Sequence, residues 1–323
     1  MSNTPQILVA GDTLIDFLPD RPGQIADTKT FAPKFGGSSA NVAIALERIG
    51  VPPLFWTRIS TDGFGDFLTD TLESSAIPDR FIVRDSDAKT TLAFVSNDEE
   101  GERQFSFYRS GTADTRMQSG AVPDSTLAEI SWVHLTGVTM SVEPSRSAML
   151  DLAARASKKG CTVSLDPNAR PEMWASDTEF GEVIRDVLAY VDVVKATPED
   201  LAVAGFDETE PKDIASKLTS YGPHTVFLTR GSHGAFSYGT EESPLAGTTR
   251  HGGYSVNAVD TTGAGDGFLA GAIAALVSGV TDADRVLELA NGVGAVTTTQ
   301  PGSVTALTGP EPVRELLGQL PWV

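Results

Sequence analysis

The sequence predicts an α/β fold with a mostly parallel sheet that is covered by helices on both faces. Short β-rich apolar runs alternate with segments of helical pattern, which is typical of parallel strands joined by helices. Two turn-rich stretches, residues 13–35 and 88–112, interrupt this alternation and predict a small β lid over the site. No stretch of the 323 residues resembles a linker, so we expect residues 1–323 to form one domain.

The predicted strands are apolar runs that end in short loops. They are ILVA (7–10), WVHLTGV (132–138), CTVSLD (161–166), VDVVKA (191–196) and TVFLTRG (225–231). Residues 145–160 have a helical pattern, with Ser145 placed to cap the start and Gly160 to end the helix. Alternating residues on either side of residues 97–101 predict a β-hairpin. Ligands of such sheets bind beyond the carboxyl ends of the strands.

The composition limits the class of partner and the compartment. With 24 Lys and Arg against 43 Asp and Glu, the net charge is −19, which opposes binding to nucleic acid or to an anionic membrane. Lysine is scarce relative to arginine, which favours adaptation to high salt, with an ordinary acidic protein as the alternative. The single cysteine, Cys161, cannot form an internal disulfide, and the first residues lack a signal-peptide pattern. We therefore expect a cytoplasmic protein.

The segment DTTGAGDGFLAG, residues 260–271, carries the strongest chemical signal. Gly263, Ala264 and Gly265 leave the backbone uncrowded, so successive amide N–H groups can converge on an anion. A helix that begins at about Asp266 adds a partial positive charge at the same place. A carboxylate there is useful if it takes a proton from a hydroxyl that attacks a bound phosphate, so Asp266 is the candidate general base. An ordinary N-cap aspartate is the alternative.

Other nucleotide-binding motifs match this segment less well. The third glycine of the dinucleotide fingerprint is missing, and that fingerprint normally occupies a first βα turn rather than a late position. The sequence has no Gly-Lys dipeptide, which excludes a Walker A loop, and protein-kinase signatures are absent. The four histidines lack the spacing of a zinc site.

A second glycine cluster, FGGSSANVAIALERIG at 35–50, predicts a sharp turn at Gly36 and Gly37 followed by an amphipathic helix. Asn41 falls in the first turn of this helix, where its amide can donate to and accept from vicinal hydroxyls. Asp12 directly follows the first strand, where a carboxylate suits sugar hydroxyls. A capped packing helix and a turn aspartate are the alternative interpretations.

Together, these stretches resemble the ribokinase family of carbohydrate kinases, also called the PfkB family. The resemblance runs in order through GD (11–12), GGSSANVA, DPN (166–168), TRGSHG (229–234) and DTTGAGDGF. It implies an α/β core with a β lid, ATP as phosphoryl donor, Mg²⁺, and often a monovalent cation such as K⁺. It also implies that lids can pair to form a homodimer.

The resemblance assigns roles to individual positions. Asp266 matches the catalytic base, and the anion hole is matched by Gly263, Ala264 and Gly265. Sugar-binding positions are matched by Asp12, Gly36, Gly37 and Asn41. The ATP-site loop is matched by Thr229, Gly231 and Gly234, and the adenine pocket by Asn291. The monovalent-cation site corresponds to backbone near Asp260 and Thr262 and to a strand at residues 297–302.

One motif departs from the family pattern. Members commonly carry N-x-x-E after the strand that resembles VDVVK, but residues 196–199 read ATPE here. Ala196 therefore replaces the asparagine, and only Glu199 remains to position metal or phosphate, with Thr197 or water in place of the missing amide.

Further motifs narrow the substrate. GDTLIDFLP (11–19), the predicted hairpin and DPNARPEMW (166–174) resemble fructokinases, which makes Tyr108, Arg109 and Arg170 candidates for contacting the sugar or the transferred phosphate. 2-Keto-3-deoxygluconate kinases also use a Tyr-Arg pair, so that activity and ketohexokinase remain alternatives.

The expected activity is transfer of the γ-phosphate of ATP to a primary sugar hydroxyl. Asp266 would act as base, while the anion hole and Arg170 would stabilise the charge. The alternative of another class is a non-catalytic sugar or nucleotide sensor, which would lack the base or the anion hole.

Overall fold

The computed structural model describes residues 6–21, 23–97 and 103–323. The strands are β1 (Ile7–Ala10), β2 (Leu14–Pro19), β3 (Phe31–Gly36), β4 (Leu54–Ser60), β5 (Ile82–Asp85), β6 (Leu92–Asn97), β7 (Arg103–Tyr108), β8 (Trp132–Thr136), β9 (Thr162–Asp166), β10 (Val193–Ala196), β11 (Thr225–Thr229), β12 (Ala235–Gly239) and β13 (Gly247–His251). The α-helices are α1 (Ser38–Arg48), α2 (Gly63–Glu73), α3 (Asp124–Leu127), α4 (Ser145–Lys158), α5 (Asp177–Leu188), α6 (Pro198–Val203), α7 (Pro211–Thr219), α8 (Ala264–Val277), α9 (Ala283–Thr297) and α10 (Glu311–Leu317).

In the part of the chain that the structure describes, nine strands form the main sheet, in the order β13-β12-β11-β10-β9-β8-β1-β4-β5. Neighbouring strands from β11 to β5 are parallel, whereas β12 and β13 are antiparallel. The five predicted apolar runs are β1, β8, β9, β10 and β11, which lie side by side. The predicted mostly parallel α/β sheet is confirmed.

The side chains of β1 show why the sheet is covered on both faces. Leu8 and Ala10 join a core cluster with residues of α4, α5 and α7, while Ile7 and Val9 join a second cluster with residues of α1, α8 and α9. All four side chains are buried. Because successive residues of a strand point to opposite faces, a strand buried on both faces becomes one continuous apolar run. Among the described residues, no helix is both long and apolar enough to cross a bilayer.

The two turn-rich stretches supply a second sheet, with strand order β3-β2-β6-β7. β2 and β3 form one antiparallel pair, β6 and β7 form another, and a parallel pairing of β2 with β6 joins them. Most of the connection predicted within the hairpin, residues 98–102, lies outside the described residues.

Two element predictions require correction. Helix α4 begins at Ser145 itself, whose hydroxyl donates to the Asp114 carbonyl (3.0 Å) and accepts from the Met117 N–H (3.1 Å) instead of capping the helix. Residues 297–302 are not a strand, since they form the end of α9 and a following turn.

Helix α8 also begins slightly earlier than Asp266. Gly263 is its N-cap, with φ of 76°, in the left-handed region that glycine adopts without strain. A Cβ at Gly263 would lie 2.4 Å from the Ser303 carbonyl oxygen, so the close approach of these two segments requires glycine.

Candidate active site

A small polar cavity of about 90 Å³ lies at the carboxyl end of the main sheet. It lies between that edge and the second sheet, which contributes Leu14, Asp16, Phe105 and Phe107. The remaining lining residues come from the turn after β1, from other loops and from the two glycine motifs, and they are Asp12, Gly37, Ser38, Asn41, Val138, Asn168, Arg170, Met173, Thr262, Gly263 and Asp266. Widely separated predicted site residues thus share one cavity.

Asp266 is one of three buried carboxylates that line this cavity, with Asp12 and Asp16. Its Oδ1 accepts a hydrogen bond from the Ser38 hydroxyl, and its Oδ2 accepts one from the Asn41 amide, each at 2.9 Å. Burial raises the pKa of Asp266 to about 6, although the Lys195 ammonium and these two hydrogen bonds oppose the rise. A carboxylate with this pKa is mostly ionised at neutral pH and remains a useful proton acceptor.

Asn41 is oriented by a second contact that fixes its role as donor to Asp266. Its Oδ1 accepts a hydrogen bond from the Ser303 hydroxyl at 2.6 Å, which leaves the Nδ2 group directed at the carboxylate. The predicted placement of Asn41 in the first turn of a helix follows from Gly37, the N-cap of α1, whose φ is 103°.

Asp12 is held by the start of α1. Its Oδ2 accepts from the Ser38 N–H at 2.8 Å, and its Oδ1 accepts from the Ser39, Thr136 and Thr139 hydroxyls. An acidic side chain at a helix N-terminus is favoured by the helix dipole. The carboxylate is therefore fixed in position while it lines the cavity.

A larger cavity of about 690 Å³ adjoins the same turn of α8. Its size falls in the range of small-molecule and cofactor sites. Predicted nucleotide-site residues that line it are Thr229, Gly231, Gly234 and Asn291. The Asn291 amide donates to the Leu287 carbonyl at 2.7 Å, so its side chain is held against its own helix.

Four consecutive residues, 263–266, line both cavities. Gly263 and Asp266 face the small polar cavity, while Ala264 and Gly265 face the larger one. The start of α8, which is the positive end of the helix dipole, therefore lies where the two cavities meet.

The arginines and the tyrosine of the predicted site lie in different surroundings. Arg170 lines the small cavity, and its guanidinium lies over the Phe105 ring at 5.6 Å. Arg109 is buried instead in an ion pair with Asp114, at 2.7 Å, and does not line either cavity. Tyr108 is 66% exposed, because side chains alternate along β7 and its neighbour Phe107 faces the cavity.

Three other predicted residues also lie outside the linings. Gly36 allows the close approach of Asp16, whose Oδ2 would lie 2.2 Å from a Cβ at that position. Glu199 is exposed near the start of α6. The Asp260 carboxylate accepts from the N–H groups of Thr262 and Gly302, each at 2.8 Å, and so joins the two segments of the predicted cation site.

Sequence reasoning missed a buried ion pair below the turn. The Lys195 ammonium donates to Asp166 Oδ2 at 2.8 Å, and both side chains are almost fully buried. Burial lowers the pKa of Lys195, but the carboxylates of Asp166, Asp200 and Asp266 outweigh this and raise it above its ordinary value. A lysine near the end of a buried strand was the available signal, because such a residue needs a charged partner.

The family comparison matches residues 4–308 to a model described as pfkB family carbohydrate kinase. The chain belongs to this family. The predicted resemblance and the predicted carbohydrate-kinase class are therefore confirmed.

Three individual proteins illustrate the similarity. Probable fructokinase-5 of Arabidopsis thaliana is 31% identical over 324 residues, which cover 98% of each chain. The crystal structure of a Xylella fastidiosa fructokinase with bound ATP has a TM-score of 0.85 and 28% identity, covering 97% of this chain and 98% of that one. A Vibrio cholerae O395 fructokinase in a form with fructose, ADP and a calcium ion has a TM-score of 0.84 and 29% identity, covering 96% and 98%.

Proposed function

We propose that this pfkB family kinase transfers the γ-phosphoryl group of ATP to a primary hydroxyl of fructose. The observation that carries the proposal is the position of residues 263–266, which line the small polar cavity and the larger, nucleotide-sized cavity within one helical turn. The ligands named for the similar fructokinases, fructose with ADP in one and ATP in another, support this assignment of the two cavities.

The proposed reaction is an in-line displacement. Asp266 accepts the proton of the fructose hydroxyl while the oxygen forms a bond to the γ-phosphorus, and the bond from that phosphorus to the β,γ-bridging oxygen breaks to release ADP. The N–H groups at the start of α8 and the guanidinium of Arg170 stabilise charge on the transferred group. Asp12 and Asn41 orient the sugar hydroxyls.

The charges around the small cavity favour a neutral sugar. Among the described residues that line it, Asp12 and Asp266 are acidic and Arg170 is basic, while Arg109 is paired with Asp114. A carboxylate or phosphate on the sugar would meet like charges, which cost several kcal/mol when poorly screened. This argues for fructose over 2-keto-3-deoxygluconate.

The sheet of β2, β3, β6 and β7 is proposed to act as the lid. Its Asp16, Phe105 and Phe107 already line the sugar cavity, so closure would exclude water that could hydrolyse ATP.

The opposite face of this sheet carries Phe31, Phe94 and Tyr108 in edge-to-face contacts, and we propose that this face pairs with a second copy. Sedimentation of the wild type and of Tyr108→Lys tests the dimer, which the substitution should weaken.

Two cations are proposed to support the reaction. Among the described residues, no group of three or more His, Cys, Asp or Glu could hold a metal ion, which suits Mg²⁺ that arrives on the nucleotide with its own water and phosphate ligands. Glu199 would hold this ion through water, and the ion would neutralise phosphate charge.

The segments joined by Asp260 would hold K⁺, and replacing K⁺ by tetramethylammonium should then reduce turnover.

Sugar-dependent ADP release tests the proposed substrate. The assay contains Mg²⁺, ATP and K⁺ in a buffer that imitates the cytoplasm, which is the compartment we propose. It compares six acceptors: fructose, 2-keto-3-deoxygluconate, glucose, ribose, adenosine and fructose 6-phosphate. Fructose should give the highest kcat/KM, with NMR assigning the product as the 6-phosphate. The 1-phosphate would indicate a ketohexokinase, selective use of 2-keto-3-deoxygluconate would contradict the substrate, and no turnover with any sugar would favour a sensor.

A further inference from the structure

The buried ion pair of Lys195 and Asp166 lies below the first turn of α8, beside the larger cavity. Lys195 lines the larger cavity together with Gly265, and a Cβ on Gly265 would lie 2.6 Å from the Lys195 ammonium. The ammonium therefore rests directly against the first turn of α8. Asp166 holds it there at 2.8 Å from the end of the neighbouring strand β9.

A contribution to folding stability does not by itself explain why this ion pair is buried. Removing a lysine and a carboxylate from water is expensive, and an apolar pair of similar volume is often as stable or more so. The same face of the sheet is otherwise apolar or neutral near this point: Phe227 and Val193 are buried hydrophobics, and burial lowers the pKa of His134 to about 3, so that side chain is uncharged. The pair is thus charged where its neighbours on this face of the sheet, Phe227, Val193 and His134, are not.

We propose that Lys195, held in place by Asp166, is a positioning residue for phosphoryl transfer, since its ammonium keeps Asp266 ionised and faces the phosphoryl group bound at the start of α8. This inference rests on the proposed role of Asp266 as base. Removing Lys195 takes away a positive charge that favours the Asp266 carboxylate. Removing the Asp166 charge takes away a negative one that disfavours it.

Other charged groups that could affect the titration of Asp266 line the same cavity. Asp12 lines it from the turn after β1, Asp16 from β2, and Arg170 from the loop after β9. Asp200 lies further away and acts on the lysine, while its own carboxylate is bound to backbone and hydroxyl groups of Ala169 and Thr197. None of these groups is altered when Lys195 or Asp166 is replaced, so changes in the titration of Asp266 report on the pair.

Two single substitutions test the proposal, because one removes a positive charge near Asp266 and the other removes a negative charge. Lys195→Met should move the acid limb of kcat/KM for fructose to higher pH by about one unit, and Asp166→Asn should move it to lower pH by a similar amount. Lys195→Met should also lower kcat about tenfold on the alkaline plateau, with KM for fructose changed less than twofold. Ser164→Ala is the matched control, because Ser164 is buried on the same face of β9 and uncharged, and it should leave the limb in place.

Acid limbs that stay in place, or that move in the same direction in both variants, would overturn the proposal, since a purely structural role cannot produce opposite shifts. If Lys195→Met does not fold, the double variant Lys195→Met/Asp166→Asn replaces it, because it leaves neither member of the pair charged without its partner. The acid limb of its pH profile should lie between that of the wild type and a position about one pH unit higher. ¹³C NMR of aspartate carboxyls, with Asp266→Asn assigning the resonance, measures the same opposite shifts without turnover. Wild-type turnover on fructose, measured first, reports separately on the proposed function.

Discussion

The Nδ2 group of Asn41 donates a hydrogen bond to Oδ2 of Asp266 at 2.9 Å, although 225 residues separate the two in the chain. The contact joins the starts of α1 and α8, the two helices that follow the glycine motifs. It places a group suited to sugar hydroxyls beside the carboxylate that is proposed to activate one of them.

The pH dependence of turnover should follow Asp266. Its pKa is raised to about 6 by burial, and the base must be ionised to accept a proton. We expect kcat/KM for fructose at saturating ATP to be flat above pH 7 and to fall about tenfold per pH unit below 6. Calorimetric titration of ATP over the same range is the control and should change little. A rate that stays constant down to pH 5 would contradict the assignment.

The same carboxylate should cost the protein stability at neutral pH. Because the folded-state pKa of about 6 exceeds the ordinary 3.8, ionised Asp266 destabilises the folded chain above pH 6 by roughly 3 kcal/mol, and this effect disappears as pH falls toward 3.8. Asp266→Asn should therefore raise the free energy of unfolding at pH 7 by up to about 3 kcal/mol, with a smaller gain at pH 4.5.

Urea denaturation at the two pH values measures this difference. Asp282→Asn is the matched control, since Asp282 caps α9 by accepting the Arg285 N–H at 3.0 Å and asparagine caps equally well. Its stability should be close to that of the wild type at both pH values. An Asp266→Asn variant that is less stable than the wild type at pH 7 would disprove the expected penalty.

Gly265 should tolerate no side chain. A Cβ there would lie 2.6 Å from the Lys195 ammonium, which is itself bound to Asp166, so Gly265→Ala should displace either the first turn of α8 or the lysine. We expect kcat to fall roughly 10²-fold, the loss typical for one misplaced oxyanion donor. Gly63→Ala is the control, because no atom lies within 4 Å of its Cβ position. Equal kcat values for the two variants would show that the turn is not the anion site.

The larger cavity should be specific to the nucleotide. Ala295 on α9 lines it, and a phenyl ring in Ala295→Phe would occupy space that the proposed nucleotide needs. KM for ATP should rise about tenfold or more, equivalent to about 1.4 kcal/mol, while KM for fructose stays within about twofold. Ala128→Phe, at an exposed position, should change neither value. A rise in KM for fructose alone would reverse the assignment of the two cavities.

The parts predicted well from sequence are those encoded by contiguous patterns. The apolar run at 7–10 is β1, and both glycine motifs open helices that bring Asn41 and Asp266 to one cavity. The positions of Tyr108 and Arg109 could not be inferred in this way. Strand alternation directs Tyr108 away from the cavity, and the partner that buries Arg109, Asp114, is a lone aspartate in a short helical turn.

The Lys195–Asp166 pair shows a second limit. Asp166 is the last residue of β9 and Lys195 the penultimate residue of β10, two strands that the sequence predicted. Their contact depends on β9 and β10 being neighbours in register, which no local pattern specifies. Asn168, which lines the small polar cavity and has a positive φ of 41°, belongs to the DPN motif, and the motif alone did not predict a role for it.

The most direct test of the account is fructose-dependent ADP release by the wild type and by Asp266→Asn at pH 7.5, with ³¹P NMR of the product. The wild type should convert fructose and ATP to a fructose phosphate and ADP. Asp266→Asn should lose about 10² to 10⁴ in kcat while its affinity for ATP, measured by calorimetry, stays within about threefold. Near-normal turnover of Asp266→Asn would contradict the central claim that this carboxylate is the base.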